Sequence, residues 1–417
     1  MNSKERVQQT LHHKTPDRIP VDFGSTAVTG IHCLIVEKLR RHYGLEQRPV
    51  KVVDPYQMLG EVDNELANVI GVDVVGAPPR NTLFGFPNDN WKPWVTPWGQ
   101  TVQVGGDFYV SDSPKGGVYI HPGGDADAPP SGHMPSDAYF FDSIIRQEPI
   151  QEDKLDPVDN LEEFSPFTDA DIAYWKDMAQ EIKTCKKSVI GNMGGTALGD
   201  IALVPAPFAK HPRGIRDISE WYMSTVMRPD YVKTVFEKQV DIALKNLNTF
   251  ASIMQDTIDS IFICGTDFGT QDSQFCSADT FRDLWLPYYK KVNDWIHAHT
   301  NWKTFKHCCG AVEPFLPLFI KAGFDIINPV QVNAKGMDPQ HLKNEYGSDL
   351  VFWGGGVDTQ KMLPYGKPDE VREQVLKHCG IFGKDGGFVF NTVHNIQANV
   401  PVENVVSMIE AVREFNG

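Results

Sequence analysis

Trp302-Lys303-Thr304-Phe305-Lys306-His307-Cys308-Cys309-Gly310 reads as a short strand that closes on a histidine, two cysteines and a glycine. In a strand, alternating side chains share a face, so Phe305, His307 and Cys309 point one way while Lys306 and Cys308 point the other. An imidazole and a thiolate then converge on one point. A thiophilic metal such as zinc uses that pair when the fold adds a third ligand and leaves one position open. The run is the least apolar of the strand candidates, so its assignment leans on its place in an alternation of strands and helices.

That alternation is regular on both sides of it. Strands are expected at Ser188-Val189-Ile190-Gly191-Asn192, Ser260-Ile261-Phe262-Ile263-Cys264, Phe324-Asp325-Ile326-Ile327-Asn328, Leu350-Val351-Phe352-Trp353-Gly354 and Gly387-Phe388-Val389-Phe390-Asn391. Helices are predicted between them, near 216–225, 229–254, 278–299, 311–321, 338–346 and 368–379, with a last one at 401–415. The 229–254 segment carries Val232, Val235, Phe236, Val240, Ala243 and Leu247 at helical spacing. Towards the N-terminus, helices are expected at 3–13, 29–43 and 54–70. Two further strands are expected, one within Pro16 to Gly24 and one at Val72-Asp73-Val74-Val75-Gly76.

Eight short strands separated by helices imply parallel pairing through crossovers, and an α/β fold of the eight-stranded (β/α)8 TIM-barrel type is the economical closure for that count. A doubly wound open sheet is the alternative. Residues 1–417 are read as a single barrel domain with a Pro/Gly/Trp-rich insertion at about 77–187, after the second strand. Its tryptophans either cover a ligand mouth or pack the insertion onto the body. In a barrel, chemistry sits where strands lead into helices. The polar residues there include Asn192, Asp267, His307, Cys309, Asn328, Gln331 and His394. His378-Cys379-Gly380 is a rival motif, read as a helix end capped by glycine.

Composition limits the function classes. A formal net charge of −15 without a basic stripe argues against nucleic acid as a partner. No apolar run approaches a membrane span, and Met1-Asn2-Ser3-Lys4-Glu5-Arg6 lacks the apolar core of a signal peptide. A cytoplasmic protein without a membrane partner is expected. Seven cysteines in such a chain are thiols to be read as core, ligand or nucleophile, not as a disulfide framework.

Lys4-Glu5-Arg6-Val7 with Asp17-Arg18-Ile19-Pro20, Gly71-Val72-Asp73-Val74-Val75, and the run from Gly265 through Gly356 to Pro401-Val402-Glu403-Asn404 resemble the uroporphyrinogen decarboxylase superfamily. That superfamily also contains zinc-dependent corrinoid methyltransferases acting in methanol, methylamine and methyl chloride metabolism. His307-Cys308-Cys309-Gly310 resembles the His-x-Cys-Gly motif of the methyltransferase branch, whereas the arginine-rich N-terminal segment of the decarboxylases has no counterpart after Pro20. The resemblance implies the eight-stranded barrel and a metal site of His307 and Cys309 with a third ligand after the last strand. His394 stands there, where the methyltransferases have a cysteine, and Cys264 is the alternative. A His/Cys/His set carries less negative charge than His/Cys/Cys and suits a different substrate.

The expected function is a metal-assisted methyltransferase moving a methyl group between a corrinoid and a small substrate: a thiol, a folate, or an O- or N-methyl compound. Zinc is the expected cofactor. No Asp-x-His-x-x-Gly signature of a cobalamin-carrying domain is present, so a separate corrinoid protein is the implied partner. A homodimer is left open. Asp267 and Asp73 are candidate substrate-binding carboxylates, with Asn192 and Gln331 beside them as candidate catalytic residues. A metal-independent decarboxylase and a non-catalytic ligand-binding barrel are the competing readings.

Overall fold

A computed structural model describes residues 1–161 and 164–417. Its centre is a seven-stranded parallel sheet in the order Val74–Ala77, Ser188–Gly191, Ser260–Cys264, Lys303–His307, Ile326–Asn328, Val351–Trp353 and Phe388–Val389. Each strand follows its spatial neighbour in the chain, and helices fill the crossovers as the alternation predicts. One face carries Val74, Ile190, Phe305, Ile326, Val351, Trp353 and Val389, which pack together as a separate core. The other face joins the larger core under the helices.

Helix Ser3–Leu11 closes the N-terminal end of this inner core. Asn2 and Glu5 form a capping box that starts it, and Val7 and Leu11 pack inward among the strand residues. Gln8 donates to Asp259 Oδ1 at 2.9 Å, just ahead of the Ser260–Cys264 strand.

The strand expected within Pro16 to Gly24 is not a regular strand. Prolines supply no N–H, so Pro16 and Pro20 cannot complete a ladder. Only Val21 forms a bridge, parallel to Phe390. The segment nevertheless touches both edges of the sheet. Phe390 N–H donates to Pro20 O (2.8 Å), Asp22 N–H to Phe390 O (2.9 Å), and Asp73 N–H to Val21 O (2.7 Å).

Two further expectations are corrected. Residues 54–70 are not one helix: Val50–Asp54 and Leu59–Gly60 are strands, and the helix is confined to Asn64–Ile70. The β-branched Val50, Val52 and Val53 favour extension, and Asp54 accepts Gln57 N–H at 2.8 Å in the intervening turn. Those strands, with Ile31–His32, join Thr101–Val104 and Lys92–Val95 in a five-stranded sheet. Strand pairing therefore links the segment about 77–187, which includes the undescribed 162 and 163, to residues before it. The segment also holds a four-stranded antiparallel sheet and helix Asp169–Ile182, whose Trp175 packs on Phe250 with ring centroids 4.8 Å apart. Finally, helix Pro368–Phe382 runs through Gly380, and His378 Nδ1 lies 2.8 Å from Gly355 O, so His378-Cys379-Gly380 is helix interior.

Among the tryptophans, Trp94 packs on Phe108 and Trp98 on His32 and Tyr139, while Trp91 lines the large cavity. No helix among the described residues is long and apolar enough to cross a membrane.

Asp73 lies at the N-terminal end of the sheet, away from the strand ends that carry His307. Its fully buried carboxylate accepts from Arg6 (2.8 Å), Arg18 (2.9 Å), Ser3 Oγ (2.7 Å) and Val21 N–H (3.0 Å). This network pins the helix Ser3–Leu11 and residues 17–21 to the first strand of the sheet. Asp73→Ala would leave the buried Arg6 guanidinium with Asp17 as its one remaining carboxylate and Val21 N–H without its acceptor, a loss of about 1–3 kcal/mol. Urea denaturation is expected to show that loss, while metal binding per folded molecule stays unchanged.

Candidate metal centre

His307 is the last residue of its strand and pairs in register with Asn328 at the end of the next one. Its Nδ1 stands 2.7 Å from Asn328 Oδ1, and Asn328 Nδ2 donates to Trp353 O at 2.8 Å. The second bond fixes the amide, so Oδ1 is the atom that meets the imidazole. His307 therefore carries its proton on Nδ1 and presents the Nε2 lone pair to the cavity, the orienting contact typical of metal-bound histidine.

The chain leaves strand geometry after His307. Cys308 N–H still donates to Asn328 O (2.6 Å), and Cys309 N–H donates to Asp267 Oδ1 (2.6 Å). The thiol of Cys309 comes back to 3.4 Å from His307 Nε2, so the pair converges although strict alternation ends one residue earlier. Gly310 makes the turn. Its φ is +90°, and a Cβ there would stand 2.5 Å from the backbone of Gly269, so no side chain fits. Gln331 Oε1 takes the Gly310 N–H at 2.7 Å, and Gln331 Nε2 donates to Gln271 at 2.9 Å.

His394 comes from the loop after the last strand. The candidate ligand atoms of His307, Cys309 and His394 all lie within 4.8 Å of one another, and the two imidazole centroids are 5.6 Å apart. Cys264 is not part of this group. It is buried in the helix-side core, where it neighbours Lys306 and Tyr289. Cys308 is also buried, accepting Phe268 N–H at 3.2 Å.

Burial controls the protonation states. It lowers His307 to about 4, helped by Lys306 and opposed by Asn328. It lowers His394 to about 4 as well, with His307 adding to the effect and Asp267 opposing it. Both rings are neutral at pH 7 and free to act as ligands. Burial, with Asp267 and Cys308 nearby, pushes the Cys309 thiol well above its ordinary range. Such a thiol ionises only when a cation compensates it, which is the condition a bound divalent metal would create.

His307 and His394 open onto a cavity of about 2180 Å³ that is also lined by Asn192, Asp200, Asp267 and Asp54, and Cys309 stands beside the two rings. Asn192 folds its Oδ1 back to Gly194 N–H at 3.1 Å. Of the proposed site residues, His307, Cys309, His394 and Asp267 are together and Asn192 lines the same cavity. Gln331 supports the Gly310 turn, and Asp73 is elsewhere. Asp200 escaped the sequence reading. It follows Gly194-Gly195-Thr196-Ala197-Leu198-Gly199, in the loop after the Ser188–Gly191 strand, and its position after a strand C-terminus is the signal that points to it.

The model of the uroporphyrinogen decarboxylase (URO-D) family matches residues 147–415. The chain belongs to that family. Among curated relatives, the uroporphyrinogen decarboxylase of Ruthia magnifica subsp. Calyptogena magnifica is 26% identical over 197 residues, 45% of this chain and 50% of that protein. The enzyme of Pseudoalteromonas atlantica is 24% identical over 215 residues, 48% of this chain and 57% of that protein. The alignments thus span only about half the length of these relatives. A solved methyltransferase from Methanosarcina mazei superposes over 100% of both chains with a TM-score of 0.53 at 15% identity, a likeness of fold. This URO-D member therefore shares its architecture with both a decarboxylase family and a methyltransferase.

Two outcomes test the centre. Asn328→Ala is expected to weaken zinc binding about 10- to 100-fold, read by competition with a chelating dye. Both histidines have folded pKa values below the ordinary 6.5, so between about 6.5 and 4 the unfolded chain binds more protons. Stability of the metal-free protein is therefore expected to fall as pH drops through that window, with a shallower fall in His394→Gln, measured by denaturation at a series of pH values.

Proposed function

We propose that this chain is a zinc-dependent methyltransferase that moves a methyl group between a corrinoid held by a separate protein and a small substrate. The observation that carries the reading is the convergence of His307, Cys309 and His394, with Asn328 orienting the first of them. Two neutral imidazoles and one thiol form a donor set that suits zinc, and three protein ligands beside a cavity are the pattern of a catalytic site with an open position. Zinc held there would supply a Lewis acid for a substrate heteroatom, lowering the pKa of a thiol or polarising a leaving oxygen or nitrogen.

The remaining roles belong to the chain itself. Asn328 keeps the His307 proton on Nδ1 and so keeps Nε2 available. Asp267 holds the Cys309 backbone through its N–H, which sets where the sulfur points. Gln331 fixes the turn behind it. The proposal includes the eight-stranded (β/α)8 barrel, with residues 20–22 standing in for the eighth strand, and a cytoplasmic setting.

A decarboxylase reading draws on the names of the curated relatives. The charges around the site speak against it. A polycarboxylate needs free cations at the metal donors, yet Arg40 in the cavity wall is committed to Asp63 and Glu65 and Arg48 to Asp63 at 3.0 Å, and the unpartnered Lys187 precedes the Ser188–Gly191 strand, at the end away from those donors. The residues next to the metal donors are acidic instead.

Metal analysis of the purified protein is expected to find one zinc per chain, lost in His307→Ala and Cys309→Ala. Chelation is expected to abolish methyl exchange with a methylcorrinoid, and zinc to restore it. Full activity in metal-free protein, or carbon dioxide release from a porphyrinogen without any corrinoid, would overturn the assignment.

A further inference from the structure

The cavity wall beside the three metal donors carries two carboxyl groups, Asp200 and Asp267. Asp200 accepts Ala202 N–H at 2.9 Å and Gly265 N–H at 3.2 Å. A methyl group on Gly265 would stand 2.8 Å from Asp200 Oδ2 and 3.9 Å from His307 Cδ2. The carboxyl and the imidazole therefore flank Gly265, where a side chain would have to push the Asp200 carboxyl aside. The carboxyl of Asp267 receives the Cys309 N–H on the other side. The half-buried His394 ring stands against His307 with centroids 5.6 Å apart and also lines this space.

The cations closest to the two carboxyls, and the arginines of the cavity wall, are already paired. Lys306 lies on the opposite face of its strand and donates to Thr266 O and His307 O. Arg40 and Arg48 are paired with Asp63, and Lys51 faces Glu61 at 3.9 Å. Lys186 and Lys187 also line the cavity, and Lys187 Nζ is buried without a hydrogen-bond partner, but both precede the Ser188–Gly191 strand and so lie at the end of it away from the two carboxyls. We propose, resting on the methyl-transfer reading above, that Asp200 and Asp267 restrict this site to neutral or cationic methyl compounds, ethers, alcohols or amines, and turn away substrates bearing carboxylate, sulfonate or phosphate.

The argument is one of charge in a dry place. A doubly charged zinc and the Lys306 ammonium would balance the Cys309 thiolate and the two carboxylates. An anionic substrate would then bury an unanswered negative charge, which costs several kcal/mol before any contact is made, whereas an uncharged ether or an ammonium group would not. Asp200, with its two backbone donors holding it in place, is the group set to hydrogen-bond an O–H or N–H of the substrate.

Isothermal titration of the zinc-loaded full chain tests this with 2-methoxyphenol, dimethylammonium and 2-methoxybenzoate as probes. The phenol is expected to bind at least about tenfold more tightly than the benzoate, and Asp200→Asn to narrow that preference by about tenfold. Thermal unfolding and zinc content are read on the same samples, and the comparison of probes on the unaltered protein stands if the variant does not fold. Benzoate binding equal to or tighter than the phenol overturns the inference, as does failure of both the phenol and dimethylammonium to bind. Stoichiometric zinc together with either result leaves methyl transfer standing, whereas absence of zinc removes both.

Discussion

His307 and Asn328 are register partners on adjacent parallel strands, and the hydrogen bond between their side chains is the contact on which the site depends. The register is set by packing further down the same strands. Phe305 pairs with Ile326 and Ile326 with Val351, and all three fill the inner core that Val7 and Leu11 close from below. A slip of one residue would turn His307 towards the helices and bring Lys306 into the cavity. Apolar burial at one end of the strands thus decides which polar atoms meet at the other.

Lys306 shows how the opposite face is made consistent with that arrangement. Its side chain is fully buried, yet the ammonium is answered from several directions. It donates to Thr266 O (2.5 Å) and His307 O (2.7 Å) and lies 5.1 and 5.5 Å from the ring centroids of Phe268 and Phe319. Burial disfavours the charge, but Cys264, Cys308 and Asp267 raise the lysine above its ordinary pKa. A charge-assisted bond to the carbonyl of the first ligand and another to the loop carrying Asp267 tie the two halves of the site together from behind.

The sequence showed the fold where strands are apolar on both faces and bounded by helical spacing, as at Ser260–Cys264 and Val351–Trp353. It misled where local and tertiary terms compete. Proline in the segment 16–24 removed ladder donors, leaving hydrogen bonds to both sheet edges without a regular strand. The strand Val50–Asp54 has little local signal, because its parallel partner, Thr101–Val104, lies some fifty residues on, and the helix expected over 54–70 begins only at Asn64. The His307, Cys309 and His394 set was legible from spacing and resemblance together. Asp73 looked like a site residue because it borders a strand, but at the end where Arg6 and Arg18 converge on it. For Asp200 the one sequence signal is its place in the loop after a strand C-terminus, which does not show how far along that loop a side chain reaches the site; the close approach across Gly265 brings it to His307.

The third donor draws the ends of the chain into one site. His394 is followed by Asn395, whose Oδ1 accepts Gly30 N–H at 2.6 Å and whose Nδ2 donates to Ala27 O and Gln57 Oε1 at 2.8 Å each. The same loop is held from the other side by Val393 N–H on Val357 O at 3.0 Å. The imidazole is therefore positioned by segments from the first sixty residues as well as by the sheet. A metal bound to His307, Cys309 and His394 would bridge one strand end to this anchored loop, so its binding energy would act on the fold as well as on the substrate. The consequence runs in reverse too: whatever loosens residues 27–57 displaces a ligand that lies more than three hundred residues away in the chain, because the two are one hydrogen-bonded unit.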